Sequence, residues 1–207
     1  MPNSNSPFGL KPVRHLLGLP LNGAVVPMLA PSGYATALFI GDPVIKIAAG
    51  SNTAAIKRPG VGEFAVGTLP QINKATAGAT NRITGVIVAF AANPDALGTI
   101  HGPASTDRIC FVNVDPYVVW EVQADGAIPA ADMGLNANLI FTQSGSTVTG
   151  LSGVELNSAT QAADATFQLI IQRAVNRVDN DTTLTRAKVE VLINLHTERG
   201  ISSGLGI

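Results

Sequence analysis

Three stretches of the sequence place residue types at spacings that match known chemistry, and each lacks the context that chemistry needs. Gly60-Val61-Gly62-Glu63-Phe64-Ala65 has the GxGxxA form of a dinucleotide loop, whose glycines let backbone approach a pyrophosphate at a helix N-terminus. It follows Lys57-Arg58-Pro59 instead of a strand, puts Glu63 where the phosphate would sit, and has no acid between Phe64 and Asp95 to hold a ribose. It reads as a surface turn. Gly200-Ile201-Ser202-Ser203-Gly204 has the GxSxG form of a nucleophile elbow, yet only three residues follow it in this sequence, so the downstream acid and histidine of a hydrolase are not expected. Asp179, Asp181 and Glu190 fall on positions one, three and twelve of a calcium-loop pattern. Leu184 stands where the sharp turn needs Gly, and Arg186 and Lys188 add two cations, so a solvated hairpin loop is the better reading.

The other reactive types are scattered. His15, His101 and His196 have no i, i+4 spacing and no Cys partner, which gives no metal signature and leaves them as surface or rim residues. Asp107 and Arg108 beside Ser105 and Thr106 are explained by a local turn or salt bridge. Asn180-Asp181-Thr182 is a glycosylation sequon with meaning only in a secreted eukaryotic protein. Cys110, the one cysteine, sits between Ile109 and Phe111 and reads as a small buried hydrophobe. No nucleophile and base pair up by sequence, so the expectation is a protein that is not an enzyme, with no catalytic residue, cofactor or metal.

The framework that would position any site is unusual in composition. Among 207 residues, 13 are Lys or Arg and 14 are Asp or Glu, 13% charged in all, against about 25% in an ordinary soluble domain. Hydrophobic content is 46% and net charge −1, which argues against disorder. With no basic run, phosphates would go unneutralised, so no nucleic-acid partner is expected. The longest apolar run, 86–92, is seven residues, far short of the roughly 20 needed to span a bilayer. Pro20, Asn22 and Pro27 interrupt the apolar stretch 16–30 that otherwise mimics a secretory signal, so synthesis in the cytoplasm is expected.

Val, Ile and Thr punctuated by 21 Gly and 13 Pro indicate an all-β fold. Val189, Val191, Ile193 and Leu195 alternate with polar partners, as do Phe167, Leu169 and Ile171, and as do Val118, Trp120 and Val122; period two marks strands with one buried face. The stretch 179–185 joins the first two of these as a hairpin. Residues 83–90 and 109–114 are denser apolar runs, as in strands covered on both sides, and 38–47 reads as two strands broken at Gly41-Asp42-Pro43. Residues 157–165 offer the one candidate short helix. A sandwich or barrel over residues 26–207 is the expected single domain, with residues 1–25 as an extended arm and 200–207 as a flexible tail.

Phe8, Leu10, Val13, Leu16 and Leu17 make that arm too apolar to stay in water, so it packs on its own domain or on a partner; these five residues are the candidate interface. No charge lies between Arg14 and Asp42 or between Asp132 and Glu155. A buried arm and a Gly/Ser/Thr loop explain these gaps without function. Alternatively they mark surfaces meant to be covered, since burying an unpaired charge costs several kcal/mol.

Several segments, in order, carry a likeness that no single one carries alone. They are Phe8-Gly9-Leu10-Lys11-Pro12-Val13-Arg14-His15-Leu16, Ala37-Leu38-Phe39-Ile40-Gly41-Asp42-Pro43-Val44, Ile83-Thr84-Gly85-Val86-Ile87-Val88, Pro103-Ala104-Ser105-Thr106-Asp107-Arg108, and Asp115-Pro116 with Val118-Val119-Trp120-Glu121-Val122-Gln123. Thr147-Val148-Thr149-Gly150-Leu151-Ser152-Gly153, residues 169–181, and Val191-Leu192-Ile193-Asn194-Leu195-His196 complete the series. Together they resemble the head decoration, or cement, proteins of tailed bacteriophages. The resemblance implies a jelly-roll-like domain that forms homodimers, coats the outside of the phage head and bridges neighbouring major capsid subunits. It carries over no catalytic residue.

On that reading function is binding energy repeated over a lattice, strengthened when a dimer grips two capsomers. Two grips are expected: the apolar arm, and an edge strand that pairs with a capsid segment by β-addition. Near-zero net charge predicts binding with little salt dependence, and deletion of residues 1–20 is expected to leave a folded domain that no longer coats heads. The alternative is a β-sandwich module of a phage tail or cell surface that binds carbohydrate or a receptor, for which Trp120, Tyr117 and Tyr34 are the sparse aromatic candidates.

Overall fold

The structure, a computed structural model, describes residues 3–21, 24–58, 61–93 and 96–199. The β-branched runs become strands β1 (Lys11–His15), β2 (Val25–Ala30), β3 (Pro43–Ser51), β4 (Ile56–Arg58), β5 (Gly62–Phe64), β6 (Pro70–Lys74) and β7 (Gly85–Phe90). They continue as β8 (Arg108–Asn113), β9 (Val118–Gln123), β10 (Asn136–Ala137), β11 (Leu139–Ile140), β12 (Glu155–Leu156), β13 (Leu169–Ala174) and β14 (Lys188–Ile193). The chain is all-β. Strands β2-β6-β3-β7-β8 close a barrel, beside which lies a five-stranded sheet in the order β1-β9-β14-β13-β10. Two ribbons, β4-β5 and β11-β12, complete the set. Neighbours pair antiparallel except β2 and β6. No helix among the described residues is long and apolar enough to cross a membrane.

Period two sets the core. Val118, Trp120 and Val122 of β9, Val189, Val191 and Ile193 of β14, and Leu169 and Ile171 of β13 point to one side of the sheet. There they meet Ile83 and Val86 from the barrel and Leu10 from the N-terminal segment. Met28, Val44, Ile72, Ile87, Cys110 and Val112 fill a second cluster. Burial pushes the Cys110 thiol up to about 12, against the lowering effects of its backbone hydrogen bond and of Arg108, so it is inert.

Two expectations fail locally. Residues 157–165 make turns, not a helix, because side chains of Asn and Asp compete for the backbone. Asn157 Oδ1 takes the Ala159 N–H at 3.0 Å and Asp164 Oδ1 that of Thr166 at 2.8 Å. Residues 38–40 form isolated bridges to Gly102 and Leu151 instead of a strand. Asp42 causes this, since its Oδ2 accepts the Phe39 N–H at 2.8 Å and folds the segment into a turn. The proposed tail at 200–207 lies outside the described residues.

Candidate functional site

The N-terminal segment is built into the molecule along its first half. The Asn3 amide donates to Asp181 O (2.7 Å) and Thr185 O (3.0 Å) and accepts the Asp181 N–H (2.8 Å). Ser6 N–H reaches Gln123 Oε1 at 3.1 Å, and Leu10 N–H reaches Gly41 O at 2.9 Å. Between them Gly9 has φ +70°, and a Cβ there would lie 2.5 Å from Gly41 O and 2.6 Å from Ser152 Cβ. Only glycine fits this crossing. Beneath it Asp42, fully buried, accepts Ser152 Oγ at 2.6 Å and Lys74 Nζ at 2.8 Å on one oxygen. The Gly41-Asp42 corner therefore braces three chain segments.

Strand β1 then adds to the sheet edge, but its outer side is a poor template. Pro12 has no N–H, the register slips between Pro12 and Arg14, and Lys11 and Arg14 flank the slip. These devices protect an edge from further pairing, so β1 does not offer the β-addition expected of an edge strand.

The face of the sheet turned away from the core holds charge. Glu121 of β9 and Glu190 of β14 stand directly opposite each other, which like charges tolerate only when neutralised. Arg177 bonds Glu121, while Arg14 Nε (3.0 Å) and Arg173 Nη2 (2.8 Å) hold Glu190. Burial alone would raise the Glu190 carboxyl, but hydrogen bonds from Arg173 and Arg14 together with their charges outweigh it and hold the carboxyl below the usual range. Nearby, Glu155 is fully buried on Arg186, Gln123 and Gln143.

Between β1 and the barrel runs a groove of about 480 Å³, within the range of ligand sites. Phe8, Leu10, Pro12, Ile40, Val88 and Leu151 give it apolar walls, and Lys11, Glu121 and Arg177 sit along it. At the far end of β1 the chain turns into an exposed apolar ledge. Leu16 is 39%, Leu17 65% and Leu19 58% exposed, beside Tyr117 at 40%; Leu16 N–H bonds Tyr117 O.

The five candidate interface residues thus divide. Phe8 and Leu10 line the groove, although Leu10 is 1% exposed and belongs to the core of its own chain. Val13, Leu16 and Leu17 are exposed. Sequence reasoning missed Ile40, Val88, Leu151 and Arg177, which only the meeting of four distant segments brings together.

The motif residues do other work. Gly60 lies outside the described residues, as does the Gly200–Gly204 match, and Gly62 opens β5 of a ribbon. Asp181 turns onto the Thr183 hydroxyl and N–H, which hold its carboxyl below the usual range. Asp179 faces Arg177, and Glu190 is taken by arginines, so the calcium set never assembles. Among the described residues no group of three or more His, Cys, Asp or Glu could hold a metal. Asp107 caps the turn at Ser32. Asn180 spends its amide on Val175 O and Lys188 O inside the hairpin.

His15 and His196 are not the surface or rim residues expected, whereas His101, half-buried, is a rim residue. His15 is 7% exposed, with Nδ1 accepting the Leu17 N–H and Nε2 3.1 Å from Asp115. His196 is wholly buried, its Nδ1 accepting the Glu198 N–H at 3.1 Å. Burial lowers its pKa to about 4. His101 stacks on Phe39 with ring centroids 5.2 Å apart. His15 is the last residue of β1, His196 is itself bridged to Ile83, and His101 precedes the bridged Gly102.

No protein-family model, curated protein or solved structure matches the chain.

Proposed function

We propose that the protein is a structural virion component, a decoration protein that binds the outer surface of a phage capsid and bridges neighbouring major capsid subunits. The observation that carries this reading is the ledge of Leu16, Leu17 and Leu19, exposed on a braced β framework in a run that has no charged side chain from Leu16 to Gly41, with Tyr117 beside it under the Arg199 guanidinium. An apolar surface whose own segment carries no charge is suited to being covered. The order of decoration-like segments along the chain adds support, and a homodimer would multiply the grip on the lattice.

The carbohydrate-binding alternative has less behind it. Trp120 is 1% exposed in the core, and the hydroxyl-rich cleft of Ser6, Gln143, Ser144, Ser146 and Thr149 has no aromatic platform in its lining.

The test is coating of purified capsid shells that lack the protein. Wild type is expected to co-sediment with shells at a fixed stoichiometry, and failure to do so would sink the reading. Deleting residues 1–20 is not a clean probe, because it strips β1 from β9 and Leu10 from the core; substitutions on the ledge are.

A further inference from the structure

We infer that the groove beside β1 receives a short apolar peptide segment carrying a carboxylate, contributed by the capsid subunit, with the carboxylate placed on Lys11. This rests on the decoration reading above and specifies what that partner must present. The walls are apolar, so the occupant is apolar. Main-chain pairing with β1 is disfavoured, since Leu10 has already given its N–H to Gly41 O and Pro12 has none; recognition falls to side chains.

Charge decides the rest. Both carboxylates on this face are already held by arginines: Glu121 by Arg177, and Glu190 by Arg14 and Arg173. Lys11, the cross-strand partner of Glu121, is exposed and has no ion pair among the described residues. On the same face Lys188, 5% exposed, buries its Nζ without a hydrogen-bond partner among the described residues. An incoming cation would meet guanidinium and ammonium groups without a free anion, whereas a carboxylate would meet an unpaired amine.

The experiment measures coating of shells by wild type, Lys11→Glu, Lys11→Arg, Leu151→Asp and, as a control of equal charge change on the remote ribbon, Lys57→Glu. Leu151 is 37% exposed, so Leu151→Asp is expected to cost little stability, whereas Lys11→Glu sets a second carboxylate opposite Glu121 and is expected to lower the melting temperature by a few degrees; coating is therefore measured well below the melting temperature of every variant. Lys11→Glu and Leu151→Asp should each weaken coating at least about tenfold, with Lys11→Arg and Lys57→Glu near wild type. If wild type coats and the groove variants coat equally well, the groove proposal falls while the decoration reading stands. Equal weakening by Lys57→Glu overturns it too, because the effect is then general charge. If dodecanoate raises the melting temperature of wild type but not of Lys11→Glu, with coating unchanged, the groove belongs to a small amphiphile and the proposal is wrong. If wild type fails to coat, both readings fall together.

Discussion

The two parts of the N-terminal segment each carry three large apolar side chains, Phe8, Leu10 and Val13 in one and Leu16, Leu17 and Leu19 in the other, and are used in opposite ways. Residues 3–15 are tied to the body by side-chain and backbone hydrogen bonds from Asn3, Ser6 and Leu10, by strand pairing and by the Arg14–Glu190 pair. Residues 16–20 run on exposed, with Leu17 and Leu19 more than half in water. The division falls at His15, whose imidazole bonds both Asp115 and the Leu17 N–H. Anchoring uses polar specificity: few charges are present, and on this face both carboxylates are held by arginines while Lys11 stays unpaired among the described residues. The segment left over, residues 16–20, carries no charge of its own. The few charges therefore fall unevenly: those of the anchor are mostly paired, and residues 16–41 carry none.

If the first half is an anchor, breaking its crossing should cost most. Gly9→Ala adds a Cβ onto backbone atoms that cannot retreat, at a positive φ, and should lower stability by about 4 kcal/mol, read as a fall in the urea midpoint. A near-neutral result would mean that the segment is only laid on the body.

Acid should loosen the seam next. His196 lies near Asp115, the partner of His15, and its pKa is lowered chiefly by burial, from 6.5 to about 4. The unfolded chain therefore binds more protons between these values, so stability is complete above pH 6.5, declines as pH falls, and stops declining from this source below about 4. The loss is about 3 kcal/mol at about 1.4 kcal/mol per pKa unit. In His196→Asn, whose amide oxygen can still accept the Glu198 N–H, urea midpoints across that window should be flat.

Glu190→Gln keeps the shape and removes the charge between Arg14 and Arg173, and should cost about 2 kcal/mol. The carboxyl lies below its usual range, so its own contribution is present at neutral pH and is lost only as pH falls through that lowered value. The wild-type advantage over Glu190→Gln should therefore persist at pH 5, where the advantage over His196→Asn is already shrinking.

How much of this was legible in the sequence follows from the range of the interactions. Alternation exposed β9, β13 and β14 and placed Val189 and Trp120 correctly, because a strand's faces are a local property. The hairpin joining β13 to β14 was equally plain. His15 and His196 were misjudged because their burial depends on segments more than a hundred residues away, Val118 for one and Ile83 for the other. The 38–40 turn was missed because it is set by one side chain, Asp42, bonding backwards. The groove was invisible for the same reason: Phe8, Ile40, Val88 and Leu151 are neighbours only after the Gly9–Gly41 crossing forms. The apolar ledge, by contrast, could be read directly from the run of residues 16–20 without charge.

The smallest effect on stability should come with the largest effect on coating. Leu17 is 65% exposed, so Leu17→Asp gives up little buried area, and an exposed change of this kind shifts stability by no more than about 0.5 kcal/mol. On a covered ledge the same aspartate would be desolvated against an apolar partner surface with nothing to pair it, which disfavours association by several kcal/mol. The variant should melt as wild type does and fail to coat shells, whereas Gly9→Ala, assayed below its lowered melting point, should coat more nearly as wild type does. If Leu17→Asp coats normally, the second half of the segment is merely exposed, and the contrast between anchor and contact surface collapses to a difference in packing.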